Sequence, residues 1–375
     1  MKIAFVYDVV YPWVKGGVEK RIHELAERLA VRGHDVHIIG MKYWEGPDTM
    51  TQGGVTLHGI CPARPLYVGG RRSIRQALWF GALLVPFLVR EDFDLIDCQQ
   101  FPFFSCFSVS LATVLKKEHC AITWHEVWDE SWYDYLGWPG FFGRVTERLV
   151  ARLPYPRIAV SATTAGKLRL LGIRQEPCIV PNGIDTGRIQ TIPPAHNTSD
   201  IIFTGRLIRE KHIDLLVRAF FRLLQECPER AMIILGEGPE RGSLEALIRN
   251  LGITDRVQII PFVESHDAVI GLMKASHVFV IPSTREGFGI AALEALGCGL
   301  PVVTVDHPDN AVRELITEQT GFLSSLSEND LSATIRVALA NYPSMKTACR
   351  AIAETHDWET MVDRLEREYR RIVPG

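Results

Sequence analysis

Val278-Phe279-Val280-Ile281-Pro282-Ser283-Thr284-Arg285-Glu286-Gly287-Phe288-Gly289-Ile290-Ala291-Ala292-Leu293-Glu294-Ala295-Leu296-Gly297 reads as a buried strand, a loop, and a helix opening at about Gly289. Gly287 and Gly289 carry no side chain, so the N–H groups of the helix's first turn can approach an anion. Glu286 stands in the loop before that turn, and Glu294 lies inside the helix. Carboxylates accept hydrogen bonds from vicinal hydroxyls, so two of them flanking a phosphate site suit a sugar nucleotide. The competing reading is structural: Glu286 faces the helix dipole and Glu294 is a solvated helix residue.

The same strand–loop–helix alternation extends outward from this stretch. Ile201–Thr204, Ala231–Leu235, Val257–Ile260 and Pro301–Val305 are further strands, with helices such as His212–Gln225 and Leu244–Asn250 between them. Earlier in the chain, Lys2–Asp8 leads into a loop holding Gly16-Gly17. Val18–Arg32 follows with Ile22, Leu25, Ala26 and Leu29 at helical spacing, and Val36–Gly40 completes a βαβ unit. Leu95–Cys98, Ala121–His125, Arg157–Ser161 and Cys178–Val180 continue the series. The polar, Pro-containing stretch Thr186–Asp200 is the expected linker. The fold class is therefore α/β, with two Rossmann-like doubly wound domains facing across a cleft, at 1–190 and 198–355. Ligands of such sheets lie beyond the carboxyl ends of the strands.

Two of those carboxyl ends carry further chemistry. Gly205-Arg206-Leu207-Ile208-Arg209-Glu210-Lys211 puts cations after Ile201–Thr204, where Arg206 and Lys211 suit a diphosphate as leaving group. The alternative there is a solvated basic loop. Gly236-Glu237-Gly238-Pro239 follows Ala231–Leu235, and its glycines would let backbone approach a flat base. Gly-x-Gly-Pro alone is weak, since many βα turns favour glycine.

Composition narrows the field. The 375 residues hold 41 Lys+Arg against 44 Asp+Glu, a formal charge of −3, with 47% hydrophobic and 23% charged residues. That balance excludes a disordered chain and a dedicated nucleic-acid binder with a strongly basic face. The longest apolar run, Ala77 to Val89, falls well short of the roughly 20 residues that span a bilayer. The eight cysteines are scattered without a Cys-x-x-Cys pair, which suits reduced thiols. Met1-Lys2 leads straight into a short apolar strand, with no signal-peptide pattern. The expectation is a cytoplasmic protein, with the inner face of the membrane as a further location.

Taken together, Gly-Arg-Leu…Lys, Gly-x-Gly-Pro and the Glu-x7-Glu pair inside Pro-Ser-x-x-Glu-Gly-Phe-Gly resemble the retaining glycosyltransferases of family 4, with the GT-B fold. The resemblance covers nearly the whole chain. Gly16-Gly17-x-Glu19 is similar to the family's N-terminal glycine loop, and Ser161-x-x-Thr164 and Pro181-Asn182-Gly183-Ile184-Asp185 to its interdomain signposts. Asp357-Trp358-Glu359 with Leu365 and Tyr369 resembles its closing helix, here 356–375, which crosses back to the first domain. The resemblance implies Glu286 on the transferred sugar, Glu294 on the ribose, Arg206 and Lys211 on the diphosphate, and Gly17 near the distal phosphate. Gly16, Gly236, Gly238, Gly287, Phe288, Gly289 and Ile290 complete the expected donor site. His125, in Thr123-Trp124-His125-Glu126, matches the family's active-site histidine; its other reading is a strand-end histidine satisfied by backbone.

Two departures stand out. Lys211-His212 replaces the frequent Lys-Gly, and His307-Pro308-Asp309-Asn310-Ala311-Val312-Arg313-Glu314 lacks the glycine pair that usually precedes the glutamate matching Glu314. No carboxylate of the matched motifs lies obviously beneath the sugar, so same-face attack is expected rather than a covalent intermediate. No metal or other cofactor is expected. Asp92-Phe93-Asp94 spells a D-x-D but sits at the amino end of its strand, away from the expected cleft.

For the acceptor, a glycan or lipid-linked molecule, the signals are Arg71, Arg72 and Arg75 before Ala77–Val89. Aromatic clusters add to them at Phe101, Phe103, Phe104 and Phe107, and at Trp124, Trp128, Trp132 and Trp138. Cations beside exposed aromatics suit a membrane surface, whereas buried they are simply core. Competing classes are an epimerase or phosphorylase on the same fold and a non-catalytic sugar-nucleotide-binding protein.

Overall fold

The structure, a computed structural model, describes residues 1–68, 71–263 and 265–374. It separates into two compact units, one of Met1–Asn182 with the segment from Trp358 onward, the other Gly183–Asp357. Gly375, which ends the expected closing segment, lies outside the described residues.

The first unit opens with β1 (Lys2–Val6), α1 (Gly17–Val31), β2 (Asp35–Lys42), β3 (Thr49–Gln52) and β4 (Val55–Pro62). A small hairpin, β5 (Tyr67–Val68) and β6 (Arg71–Arg72), precedes α2 (Ile74–Arg90). Then come β7 (Leu95–Gln99), α3 (Phe103–Lys116), β8 (His119–Trp124), α4 (Ser131–Leu136) and α5 (Gly140–Ala151). The run ends on β9 (Arg157–Ala159), α6 (Ala162–Leu170) and β10 (Cys178–Ile179). The main sheet has eight strands in the order β10-β9-β8-β7-β1-β2-β4-β3, parallel except for the β3–β4 pair. β1 and β7 lie side by side at its centre and read as near-continuous apolar runs because helices cover both faces.

The second unit contains α7 (Thr186–Thr191), β11 (Ile201–Thr204), α8 (Ile213–Leu224), β12 (Met232–Leu235), α9 (Arg241–Asn250) and β13 (Val257–Ile260). It continues with α10 (His266–Lys274), β14 (Val278–Ile281), α11 (Ile290–Gly297), β15 (Val302–Val305), β16 (Gly321–Ser324) and the long α12 (Glu328–Glu354). Its six strands are all parallel, in the order β13-β12-β11-β14-β15-β16. The order reverses between β11 and β14, the point at which a doubly wound sheet opens a crevice for ligand.

The division falls after Asn182, earlier than the expected boundary at 190 and 198. Residues 186–191 form α7 instead of linker, and Asp185 caps it by accepting from the Arg188 N–H. Thr186 donates from both N and Oγ1 to Asp357, and Ile184 bridges to the same residue, so the ends of this unit are tied together.

The closing helix, α13 (Trp358–Ile372), belongs to the first unit. Trp358, Met361, Val362, Leu365 and Tyr369 form one fully buried stripe at helical spacing. Each such side chain contributes roughly 1.5–3 kcal/mol of burial. Arg32, which caps the end of α1, ties the outer edge of α13 through Glu359, Asp363 and Glu366.

Candidate active site

In the second unit, the loops after β11 and β14 flank the reversal of strand order, and the structure laces them together. Thr284 N donates to Glu210 O, Arg285 pairs with Glu210, and Lys211 Nζ donates to Glu286 Oε1. The last pair is largely buried, at 15% and 11% side-chain exposure. Lys211 and Glu286, expected on diphosphate and sugar, thus hold one another in this structure. Arg206 is exposed, with no hydrogen bond or ion pair from its side chain among the described residues.

The Glu286 backbone is braced by the run that departs from the family pattern. Glu286 N donates to Asp309 O, and Ala311 N donates back to Glu286 O. Asn310 is fully buried; its amide donates to Thr304 Oγ1 and Val305 O, and its Oδ1 accepts from Val312 N. A side-chain amide therefore does here what a glycine turn would do, and Glu314 is exposed. The other departure has a similar reason. His212 sits at φ 47°, in the left-handed region that favours glycine. Its ring offsets part of that strain through a 3.0 Å hydrogen bond with Thr284 Oγ1, and burial pushes its pKa down.

Gly289 has φ +88° and opens α11; a Cβ there would meet Val312 Cγ2 at 2.3 Å. Ile290 begins the helix, and Phe288 beside the cap is buried. Gly287 is partly buried in the same loop. Glu294 is buried, not a solvated helix residue, and stands 3.1 Å from His266 Nε2.

Gly236 and Gly238 are required to be small by the chain itself. A Cβ on Gly236 would lie 1.9 Å from Gly205 O, and one on Gly238 2.2 Å from Leu207 O. Leu207 N donates to Glu237 O, and Glu240 N donates to Leu207 O. These glycines let the Gly-x-Gly-Pro loop clasp the loop that carries Arg206 and Lys211, so the space a side chain would fill holds the chain itself.

In the first unit, Gly16 precedes α1 in extended backbone, and a Cβ on it would stand 2.4 Å from Glu19 Oε2. Gly17 is the first residue of α1. His125 follows β8, which ends at Trp124, one residue short of the expected strand end. Its ring is not satisfied by backbone: Nε2 lies 2.8 Å from Gln99 Oε1, while its backbone N donates to Gln100 Oε1. Burial and the nearby Arg21 guanidinium push its pKa down to about 3. Arg21 is itself buried and donates to Val180 O, Pro181 O and Asn182 Oδ1. Gln99, Asp97 and Arg21 escaped sequence reading. The available signal was an aspartate in the otherwise strand-like Leu95-Ile96-Asp97-Cys98-Gln99, since a buried carboxylate demands partners.

The aromatic clusters divide. Phe103, Trp124 and Trp132 are buried, and Phe101, Phe107 and Trp128 pack on the same core, so these are core residues. Trp138 is 78% exposed, and Phe142, Val145 and Leu149 continue from it as an exposed stripe along α5. Ala77–Val89 lies within α2, whose buried face is Ala77, Phe80, Gly81, Leu84 and Leu88, while Leu78, Trp79 and Val89 are exposed. Arg72 pairs through NH2 with both oxygens of buried Asp8 at 2.9 Å. In the D-x-D run, Asp92 pairs with Lys116 and Asp94 accepts from the Lys2 N–H.

Two family models match in tandem: Glycosyltransferase Family 4 over residues 15–188 and Glycosyl transferases group 1 over residues 189–356. The chain is a family 4 glycosyltransferase. It is 27% identical over 382 residues to one of the subunits of human phosphatidylinositol N-acetylglucosaminyltransferase, covering 99% of this chain and 76% of that protein. Its fold resembles sucrose-phosphate synthase from Thermosynechococcus elongatus, with a TM-score of 0.82 at 21% identity and coverage of 99% and 98%. It also resembles Anabaena HepE in complex with UDP and glucose, with a TM-score of 0.75 at 20% identity and coverage of 98% and 99%. The architecture of this glycosyltransferase is thus GT-B, with its parallel sheets flanked by helices.

Proposed function

We propose that this glycosyltransferase moves a hexosyl group from a UDP- or GDP-hexose to a glycan or lipid-linked acceptor, with retention of configuration and without a metal ion. The observation that carries the reading is the Lys211–Glu286 pair at the strand-order reversal between β11 and β14, beside the first turn of α11. A carboxylate able to accept from sugar hydroxyls and an ammonium able to donate to phosphate oxygens thus stand side by side at the ends of the strands. Lys211, Arg206 and the N–H groups opening α11 stabilise the departing diphosphate. The acceptor hydroxyl attacks from the same face as the C–O bond to phosphate breaks, and its proton passes to a phosphate oxygen. Glu294 accepts from the ribose hydroxyls.

A panel of UDP-, GDP- and ADP-sugars tests the donor by thermal shift, because a ligand that binds the folded state stabilises it. If none raises the melting temperature, the donor assignment fails. For the donor that binds, NMR of the product anomer reads retention, and turnover is expected to survive EDTA.

The lipid-linked acceptor draws support from the name of the human relative and from the exposed stripe that runs from Trp138 onto Phe142, Val145 and Leu149 of α5. Among the described residues no helix is long and apolar enough to cross a membrane, so the proposed contact is peripheral. Co-sedimentation with vesicles, with and without anionic lipid at low salt, decides it. No binding in either case removes the membrane surface from the reading.

A further inference from the structure

Asp97 sits in the middle of β7 with only 2% exposure, and three side chains donate to it. Thr123 Oγ1 reaches Oδ1 at 2.7 Å, Tyr369 OH reaches Oδ2 at 2.5 Å, and Gln99 Nε2 reaches Oδ1 at 3.1 Å. Gln99 Nε2 also lies 3.4 Å from the Asp97 backbone O. A carbonyl oxygen only accepts, so the NH2 of Gln99 faces Asp97 whatever the charge on the carboxyl. The amide oxygen is thereby turned to His125 Nε2 at 2.8 Å, and only an N–H on that nitrogen satisfies it. Nδ1 makes no hydrogen bond to any described residue.

We propose that Gln99 is a positioning residue that fixes His125 as its Nε2–H tautomer, leaving Nδ1 as a lone pair that accepts a hydrogen bond from a hydroxyl of the bound sugar or acceptor. The hydroxyl recognition rests on the glycosyltransferase reading of His125; the tautomer does not. The carboxyl at Asp97 acts at one remove, through Gln99, and Tyr369 carries the same network to α13. Arg21 from α1 is the charged group whose field reaches the ring, and Asp97 of β7 stands one hydrogen bond beyond it, through Gln99. Together with burial, Arg21 keeps the imidazole neutral at physiological pH.

Long-range proton–nitrogen NMR of the 15N-labelled full chain reads the tautomer directly. The wild type is expected to show a neutral His125 protonated at Nε2 alone. Gln99→Met removes the acceptor and is expected to give a mixture of tautomers, with a tenfold or greater fall in kcat/KM assayed with UDP-glucose and GDP-mannose. Tyr369→Phe loosens the network behind Asp97 but leaves the Gln99 amide facing it, so the Nε2–H tautomer is retained. A merely structural contribution would lower stability in both variants and move the tautomer in neither. A wild-type His125 protonated at Nδ1, or at both nitrogens near neutral pH, overturns the proposal whatever the chain transfers. A fixed Nε2–H tautomer with unchanged kinetics in His125→Ala instead overturns the functional reading on which the hydroxyl recognition rests.

Discussion

Lys211 and Glu286, drawn from the loops after β11 and β14, neutralise one another in a largely buried ion pair. On the proposed reading, an incoming diphosphate competes with Glu286 for the ammonium, and the sugar competes with Lys211 for the carboxylate. Lys211→Ala removes the cation from the leaving group and leaves a buried carboxylate unpaired. Its kcat/KM is expected to fall by roughly two to three orders of magnitude, the usual effect of losing one charge-stabilising donor. Glu286→Gln keeps the shape but releases Lys211, so kcat is expected to fall while donor KM holds or drops. Steady-state kinetics with the sugar nucleotide that gives the largest thermal shift reads both. A kcat/KM within threefold of wild type in Lys211→Ala would remove the residue from the site.

Gly238 lies against the Leu207 backbone, with a hypothetical Cβ 2.2 Å from Leu207 O. Gly238→Ala therefore has to push the two loops apart, at a cost of roughly 1–3 kcal/mol from overpacking. Displacement of Leu207 also moves Arg206, so donor affinity and stability should fall together. Urea denaturation and donor titration on the same variant check this. A variant with full stability and lost donor binding would show instead that Gly238 is kept small for the ligand.

His212 holds a left-handed conformation and a ring hydrogen bond at once. Glycine removes the strain and the hydrogen bond together, whereas alanine keeps the strain and loses the bond. Left-handed backbone costs a non-glycine residue roughly 1–2 kcal/mol, and a net hydrogen bond returns about 1 kcal/mol. His212→Gly is expected to be near neutral in thermal stability, and His212→Ala is expected to be the least stable of the three. Equal melting temperatures for the alanine and glycine variants would refute the strain.

What could be read in the sequence, and what could not, follows from which interactions are local. The strand, glycine loop and helix at 278–297 were legible because apolar runs and glycines report backbone conformation within a few residues. The βα alternation of both units was legible for the same reason. The edge strands β3 and β16, the strand β4 beside β3, and the long α12 were missed, since each depends on pairing or packing with other segments. Thr186–Thr191 looked like linker because Thr186–Asp200 is polar and contains proline; its cap at Asp185 is local, but its anchor, Asp357, lies far along the chain. Glu286 was recognised as a site residue, yet its brace at Asn310 looked like a defect, because a side-chain amide can replace a glycine turn only in three dimensions. The Asp97–Gln99–His125 chain was hidden for a related reason. A strand pattern says that Asp97 is buried but not that Tyr369 reaches it from the last helix.

Glu147 makes the stability of the first unit depend on pH, with a definite sign. Its carboxyl is fully buried on α5 and accepts the N–H groups of Trp128 and Asp129, each at 2.8 Å, in the loop that follows His125. Burial outweighs those hydrogen bonds and raises its pKa from the ordinary 4.5 to about 7. Below 4.5 the folded and unfolded chains both hold the proton, and the group's contribution to stability is fully present. As pH rises toward 7 the unfolded chain releases the proton while the folded chain keeps it, so stability is lost across that window and levels off above it. Glu147→Gln has no proton to release. The free-energy difference between wild type and variant should therefore shift against the wild type by at most about 3 kcal/mol between acid and neutral pH. Urea denaturation of both proteins across this range measures the shift. A difference that stays constant with pH would mean that Glu147 titrates in the folded chain as it does in the unfolded one, the two N–H groups cancelling the effect of burial.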